Sequence, residues 1–516
     1  MTLPQTRFDY LAPVPAAEDL GRVHFVAIGG AGMSGVARIM LAGGLSVSGS
    51  DARDSPVLHA LTVEGAQVHV GHDAAYVDDV DTVVISSAIR DGNPELTAAR
   101  ARGLRVLHRA QALAATMAGS RRVAVAGANG KTTTTSLLTV ALQACGVDPS
   151  FAVGGELAKH GTNAHRGSGD VFVVEADESD GSFLVYHPDV AIVTSVQADH
   201  LDFYGDLATV EEAYRAFVAT IADDGLLVVC VDDPGARALA DHARSMSRSG
   251  SRSGSRSGSR SGSHSGVRVL TYGEADDADV RVTEISHRGL AWSAELVVGA
   301  DRHRLRLLVP GRHNILNATA AFAAATVGLD QPPARVLSGL ASFTGTRRRF
   351  EPKGREAGVQ VVDDYAHNPG KVAAVVGAAR QILEDAGAGR LVVVFQPHLY
   401  SRTRDFAAQL GESLSGADVV VVMDVYAARE DPVPGVSGRL VAEAVTAARP
   451  GVVVRYVPRW SAVADVVVGL TRVGDLVLTV GAGDVTMVGP EVLLRLRDAP
   501  ADPNGGSQRA QEEGTG

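Results

Sequence analysis

The sequence predicts an α/β protein of three domains, each built on a mainly parallel sheet, and three observations predict it. Short β-branched runs alternate with helical patterns almost to the end of the chain, the order that covers both faces of a parallel sheet. Two of these runs break into glycines that open a helix, as strands do at the nucleotide-binding edge of such a sheet. At 516 residues the chain also exceeds what one core serves, since about 150 residues per domain gives roughly three.

The elements follow in order. Residues 22–28 (RVHFVAI) read as a strand, Ser34 to Ala42 as a helix and Ser46 to Ser50 as a second strand ending at Asp51, which together open a βαβ unit. Strand-like segments at Gln67 to Val70, Thr82 to Ser86 and Arg105 to Leu107, with a helical pattern from Asn93 to Arg102, complete a first domain over residues 1–120. A strand at Arg122 to Ala126 opens the second, whose later strands are Val171 to Glu175 and Ala191 to Val196; the helical pattern Val336 to Leu340 and the linker Thr344 to Thr346 close it near residue 345. The third, residues 346–498, carries strands at Val359 to Asp363, Leu391 to Phe395, Val419 to Asp424, Val452 to Val457 and Asp475 to Val480. Residues 499–516 read as a disordered tail. Inside the second domain, Ser247 to Gly266 is a run of Ser-Arg-Ser-Gly tetrads, the last Ser-His-Ser-Gly, whose composition cannot bury a core. It reads either as a repeat tolerated in a surface loop or as an anion-binding arm.

Composition excludes several classes. With 45% apolar and 21% charged residues the chain is neither disordered nor fibrous. A net charge of −11 argues against nucleic acid as a partner, which needs a clustered basic face, while leaving small anions in locally positive pockets. The longest apolar runs fall short of the ~18 residues of a membrane span, and residues 1–22 lack a basic start and apolar core, so no membrane insertion and a cytoplasmic location are expected. Cys145 and Cys230 lack metal-site spacing and read as buried small hydrophobes. Lysine is scarce: Lys131, Lys159, Lys353 and Lys371 are the four candidates for chemistry that needs one.

The first glycine cluster is IGGAGMSG, with Gly29, Gly30 and Gly32 before Met33 and Ser34, and Asp51 about twenty residues on. Glycines there let a backbone approach a pyrophosphate, the helix N-terminus offers N–H groups, and the acid meets a ribose. The same pattern also occurs as a tight turn without ligand. The second cluster, Gly127-Ala128-Asn129-Gly130-Lys131-Thr132 followed by Thr133, supplies small residues for close approach, a lysine for β/γ oxygens and a hydroxyl for Mg²⁺. Val125 stands where the general P-loop has its first glycine, so this is a shortened variant. Glu175 and His200 close or follow later strands, and in an open parallel sheet such ends converge on the loop after Val125. Thr132 and Glu175 suit Mg²⁺; the imidazole of His200 is an unusual ligand for it and reads equally as a hydrogen-bonded turn histidine. His24, His59, His69, His72 and His108 show no partner pattern and read as structural or solvent-facing.

Beyond these, IGGAGMSG, SGSD, SSAI, GKTTTT, GGELAKHGTNA, EADESDGSF, ADHLD, GRHNILNA, GTRRRF, DDYAHNP, QPHLYSRTRD and GAGD occur in an order that resembles the Mur ligase family, from about Arg22 to Leu496. The resemblance implies a Rossmann-like N-terminal domain for a UDP-sugar, a central P-loop ATPase and a Rossmann-like C-terminal domain for an amino acid. It implies that ATP and Mg²⁺ serve to phosphorylate the lactyl carboxylate of UDP-N-acetylmuramate, that an amine then displaces phosphate to form an amide, and, from the N-terminal pieces, that the amine is L-alanine. A branch that joins a whole tripeptide to the same sugar nucleotide is the rival. Carried over by position, Lys131 meets the γ-phosphoryl group, Thr132 and Glu175 hold one Mg²⁺ and His200 a second; Asn314 and Asn317 face adenine, Arg349 a phosphate and Asp364 the ATP ribose. Ser87, His160, Thr162 and Asn163 fall to the sugar nucleotide, and Arg402 and Arg404 to the alanine carboxylate, which a guanidinium fork matches. The residue-level alternatives are surface charges for the two arginines and helix caps for the asparagines. Asn129, Asn368, Gly370 and Lys371 depart from the family pattern. From other classes, a nicotinamide oxidoreductase or a nonenzymatic nucleotide-binding regulator would explain the first fingerprint; the oxidoreductase leaves GKTTTT, Glu175 and His200 without a task.

Overall fold

The computed structural model describes the chain apart from residues 1–3, 5, 158–160, 251–265, 289–290, 429 and 499–516, and gives only the backbone of residues 202 and 247–250. It divides into two compact units, the first ending at Arg347 and the second starting at Arg348, next to the expected linker. The first unit holds two sheets and the second holds one.

The N-terminal sheet has five parallel strands in the spatial order Gln67–Val70, Val47–Asp51, Val23–Val26, Thr82–Ile85 and Arg105–His108. Val23–Val26 and Thr82–Ile85 are buried at every position, as strands covered on both faces must be. Strand order reverses between these two, and there the glycine run and the Ser86-Ser87 turn leave the sheet side by side, which is where such folds open a ligand crevice.

The central sheet has ten strands. Its middle is parallel: Arg121–Ala126 is flanked by Val190–Val193 on one side and Val171–Glu175 on the other, so three consecutive strand ends deliver the phosphate loop, the segment leading to His200, and Glu175. Its far edge is an antiparallel extension, Val280–Arg288, Ala291–Val298 and Asp301–Leu307, which the sequence reading did not resolve into strands. The reason is its one-sided burial. Trp292, Ala294, Leu296, Leu305 and Leu307 face inward while arginines alternate outward, and that dilutes the apolar run that marks a strand buried on both faces. The edge hairpin Ser150–Leu157 and Thr162–His165 is antiparallel as well.

The second unit is a six-stranded sheet in the order Glu351–Glu356, Val359–Asp364, Leu476–Gly481, Leu391–Gln396, Val419–Val422 and Val453–Tyr456, parallel except for its first pair. Some sequence expectations need correction. Cys230 is buried, and burial pushes its thiol up to about 11, but Cys145 is only half-buried at a helix end. The helix Pro234–Gly250 continues through the first Ser-Arg-Ser-Gly tetrad, while residues 251–265 of that insert and the tail from residue 499 lie outside the described residues. Among the described residues no helix is long and apolar enough to cross a membrane.

Candidate active site

Two loops leave adjacent sheets of the first unit, and each opens a helix. The central one turns through Gly127 (φ 134°) and Gly130 (φ 87°) into the helix Lys131–Ala144. Glycine is required there by space as well as by φ: a Cβ on Gly127 would sit 2.0 Å from Thr194 Oγ1, and one on Gly130 2.5 Å from Asn317 Oδ1. Asn317 therefore lies directly against the loop. Asn314 and Asn317 are both buried; Asn314 Nδ2 donates to the Pro310 carbonyl at 2.6 Å, and Asn317 Nδ2 to Asn314 Oδ1 at 3.4 Å. Neither acts as a helix cap. Asn129, the departure from the family pattern, ties the loop to the next strand end through its N–H to Ser195 Oγ (3.1 Å) and its Nδ2 to Gln197 (3.0 Å).

Lys131 Nζ donates to the Gly127 carbonyl and to Glu178 Oε1, each at 2.7 Å. Burial by itself would lower the Lys131 ammonium, but Glu178, Asp177 and Glu175 outweigh it and hold the pKa above its ordinary value, so the cation is fixed. Thr132 Oγ1 donates to Glu175 Oε1 at 3.0 Å, and Gly154 N–H to Glu175 Oε2 at 2.6 Å. His200 sits in the left-handed region (φ 54°), with Nε2 3.9 Å from Glu178 Oε1. Lys131, Thr132, Glu175 and His200 are thus brought together as the strand order requires. Among the described residues no three His, Cys, Asp or Glu side chains form a metal cage. A hydroxyl and a carboxylate in contact at a helix N-terminus nonetheless fit Mg²⁺, which keeps waters and uses few protein ligands beside substrate phosphates.

The N-terminal loop is organised differently. Gly29 N–H donates to Asp51 Oδ2 at 3.0 Å, so the acid from the neighbouring strand lies on the loop itself. A Cβ on Gly32 would be 3.5 Å from an Arg109 guanidinium nitrogen, which places that cation beside the loop. The side chains of Met33 and Ser34 both turn into the interior, Ser34 Oγ onto the Ala31 carbonyl, and the Ser34 N–H donates to the Gly30 carbonyl at 2.8 Å. Asn163 Nδ2 donates to the Ala31 carbonyl at 3.0 Å, fastening the edge hairpin of the central sheet to this helix, and Thr162 closes a local turn on Ala164. His160 lies outside the described residues.

The sequence reading missed the residues that join the two loops. The segment after Glu175 sends Asp177 to Arg109 (3.0 Å), Glu178 to Lys131, and Asp180 to Ser87 and His108. Burial opposes ionisation of Asp177, yet Arg109 and Lys131 hold its carboxyl well below the usual range. The signal was present in the crowded acids of EADESD, but the spacing does not say which acid meets which loop. The histidines also have partners. Buried Glu95 accepts from Ser50 Oγ (2.7 Å) and meets His72 Nδ1 (3.1 Å), with His24 Nε2 at 3.5 Å; His108 caps a helix, and His59 is exposed beside Asp54.

In the second unit, Asp364 is buried and accepts the N–H groups of Phe350 (2.7 Å) and Ala366 (2.8 Å). Burial raises its carboxyl above the usual value, with Arg349 and these two N–H groups opposing. Arg349 and Arg348 both lie over the Tyr365 ring, at 5.4 and 4.9 Å from its centroid. Arg402 is half-buried, 3.5 Å from His398, while Arg404 is exposed and bonded to its neighbour Asp405. Asn368 caps the helix Pro369–Ala386 through the Lys371 N–H (2.9 Å), which gives that departure a structural role.

Sheet order, the two glycine loops and the buried lysine define a nucleotide-binding α/β protein with a phosphate-handling centre. The chain belongs to the Mur ligase family: residues 22–121 match the Mur ligase family catalytic domain, 125–325 the Mur ligase middle domain and 348–483 the Mur ligase glutamate ligase domain. It is 54% identical over 490 residues to the UDP-N-acetylmuramate–L-alanine ligase of Kineococcus radiotolerans, covering 94% of this chain and 98% of that protein. To the enzyme of that name from Acidothermus cellulolyticus it is 51% identical over 488 residues, 94% and 97% of the two chains. Among solved structures, the UDP-N-acetylmuramate–alanine ligase of Thermotoga maritima superposes with a TM-score of 0.74 at 27% identity, covering 92% of this chain and 99% of that one. The murein peptide ligase of Psychrobacter arcticus, at 22% identity and a TM-score of 0.66 over 93% and 100% of the chains, shares the fold.

Proposed function

We propose that the chain joins L-alanine to the lactyl carboxylate of UDP-N-acetylmuramate at the expense of ATP, a cytoplasmic step of peptidoglycan precursor synthesis. The observation that carries the chemistry is the buried, permanently charged Lys131 at a helix N-terminus, next to the Thr132–Glu175 pair. A carboxylate is a poor electrophile, and bringing it to a triphosphate joins two anions, so the site must supply positive charge where the phosphoryl group moves. Transfer of that group gives an acyl phosphate and ADP; attack by the alanine amine then expels phosphate and leaves the amide.

On this reading residues 127–133 cradle the phosphates, with Asn314 and Asn317 on the adenine side. Thr132 and Glu175 would hold Mg²⁺, which would supply positive charge to offset that of the phosphate oxygens. Gly29, Gly30, Gly32, Asp51, Ser87 and Asn163 serve the sugar nucleotide. In the second unit, Arg349 and Asp364 are the candidates for ATP, and Arg402 and Arg404 those for the alanine carboxylate. The tripeptide-adding alternative is disfavoured, because relatives that match the chain at 54% and 51% identity over almost their whole length are L-alanine ligases. Phosphate release with UDP-N-acetylmuramate, ATP and each amino acid in turn should be greatest with L-alanine. Release with the tripeptide and with no single amino acid would reverse the assignment.

A further inference from the structure

We propose that Glu178 is a divalent-cation ligand, sharing with His200 a second cation site that forms when Lys131 leaves Glu178 for the phosphates of the nucleotide. The inference rests on the reading of residues 127–132 as the ATP phosphate loop and goes beyond it in assigning Glu178.

Glu178 is the most confined acid near the loop, its side chain 4% exposed. One oxygen meets Lys131 at 2.7 Å; the other, Oε2, is buried with no hydrogen-bond partner among the described residues. A carboxylate that served only to hold the lysine would not need that second oxygen buried and unmet, and the Gly127 carbonyl already holds the ammonium at 2.7 Å. His200 Nε2 stands 3.9 Å from Glu178 Oε1, too far for a hydrogen bond. Two donors each about 2.1 Å from one cation stand no more than about 4.2 Å apart, so the spacing suits a shared ion. The neighbouring acids are committed elsewhere, Asp177 to Arg109 and Asp180 to Ser87, and Glu175 lies against Thr132 as a separate pair.

The resting pair also explains why the site waits for nucleotide. While Lys131 is bound, the charge on Glu178 is compensated. Once the ammonium turns to phosphate, a buried carboxylate loses its cation, a state that proteins avoid. A divalent ion between Glu178 and His200 restores the balance, with phosphate and substrate oxygens and water completing its shell as Mg²⁺ prefers.

The test is Mn²⁺ binding to the full chain, followed by paramagnetic resonance, with and without a β,γ-imido analogue of ATP and UDP-N-acetylmuramate. Wild type should bind two Mn²⁺ with both ligands present. Glu178→Gln should weaken one of them at least about tenfold while binding the analogue normally, and Glu178→Asp should retain both. Lys131→Met should gain a nucleotide-free Mn²⁺ site that the double variant with Glu178→Gln lacks, a gain that general damage to the fold does not produce. A single Mn²⁺ in wild type, two undiminished ions in Glu178→Gln, or no gain in Lys131→Met would each overturn the proposal. Failure of wild type to bind the ATP analogue at all would instead overturn the phosphate-loop reading.

Discussion

The two glycine loops share a backbone plan and differ in where their charge sits. Each follows a buried strand and opens a helix whose N-cap is a glycine with no side-chain cap, so each leaves N–H groups for an anion. At the N-terminal loop a carboxylate, Asp51, lies on the turn, and the nearby cation, Arg109, comes from a different helix. At the central loop the cation belongs to the loop and is held within reach of a carboxylate it can leave. The first arrangement suits a diphosphate that is only held, the second a triphosphate that reacts.

The comparison breaks first at Lys131. Lys131→Ala should lower ligation about 10³-fold, near 4 kcal/mol of transition-state stabilisation, with binding of the sugar nucleotide intact. Turnover within tenfold of wild type would mean that the two loops do not differ as described. Second in size is a contrast in space. Gly127→Ala meets Thr194 at 2.0 Å with φ at 134° and should destabilise the fold by roughly 3 kcal/mol or more, whereas Gly30→Ala, with its nearest atom at 3.5 Å and an extended backbone, should lose less than about 1 kcal/mol. Chemical denaturation of both variants checks this, and equal losses would remove the contrast. Third, Asp51→Ala should raise KM for UDP-N-acetylmuramate about tenfold, roughly 1.4 kcal/mol, and leave kcat and the KM for ATP unchanged. A matching rise in the KM for ATP would show that the loops are not separable.

A fourth effect, seen in stability against pH and not in turnover, concerns the contacts that join the loops. Burial lowers the His108 imidazole from 6.5 to about 4, with Asp180 opposing and Arg109 adding to the shift. As the pH falls the unfolded chain takes up this proton first, so the stabilising contribution is complete above 6.5 and is lost on acidification from 6.5 toward 4. His108→Asn keeps an N-cap and should flatten the decline in Tm across that window. Parallel Tm profiles for the two proteins would show that the buried imidazole does not carry the dependence.

By itself the sequence determined the three-domain α/β plan and the positions of Lys131, Thr132, Glu175, His200 and Asp51. Those residues sit at or next to strand ends, and a strand followed by glycine and a helix is a local event written in adjacent residues. Only the tertiary structure decided which acid answers which cation. Lys131 and Glu178 are 47 residues apart and Arg109 and Asp177 are 68 apart, so their pairing depends on how the loop after Glu175 packs between two sheets, which no local pattern encodes. The inward turn of Met33 and Ser34, the Glu95 cluster with Ser50 and His72, and the half-polar antiparallel edge of the central sheet were hidden for the same reason. In each, burial comes from elements distant in the chain, and the hydrophobic and electrostatic energies that choose partners act across space.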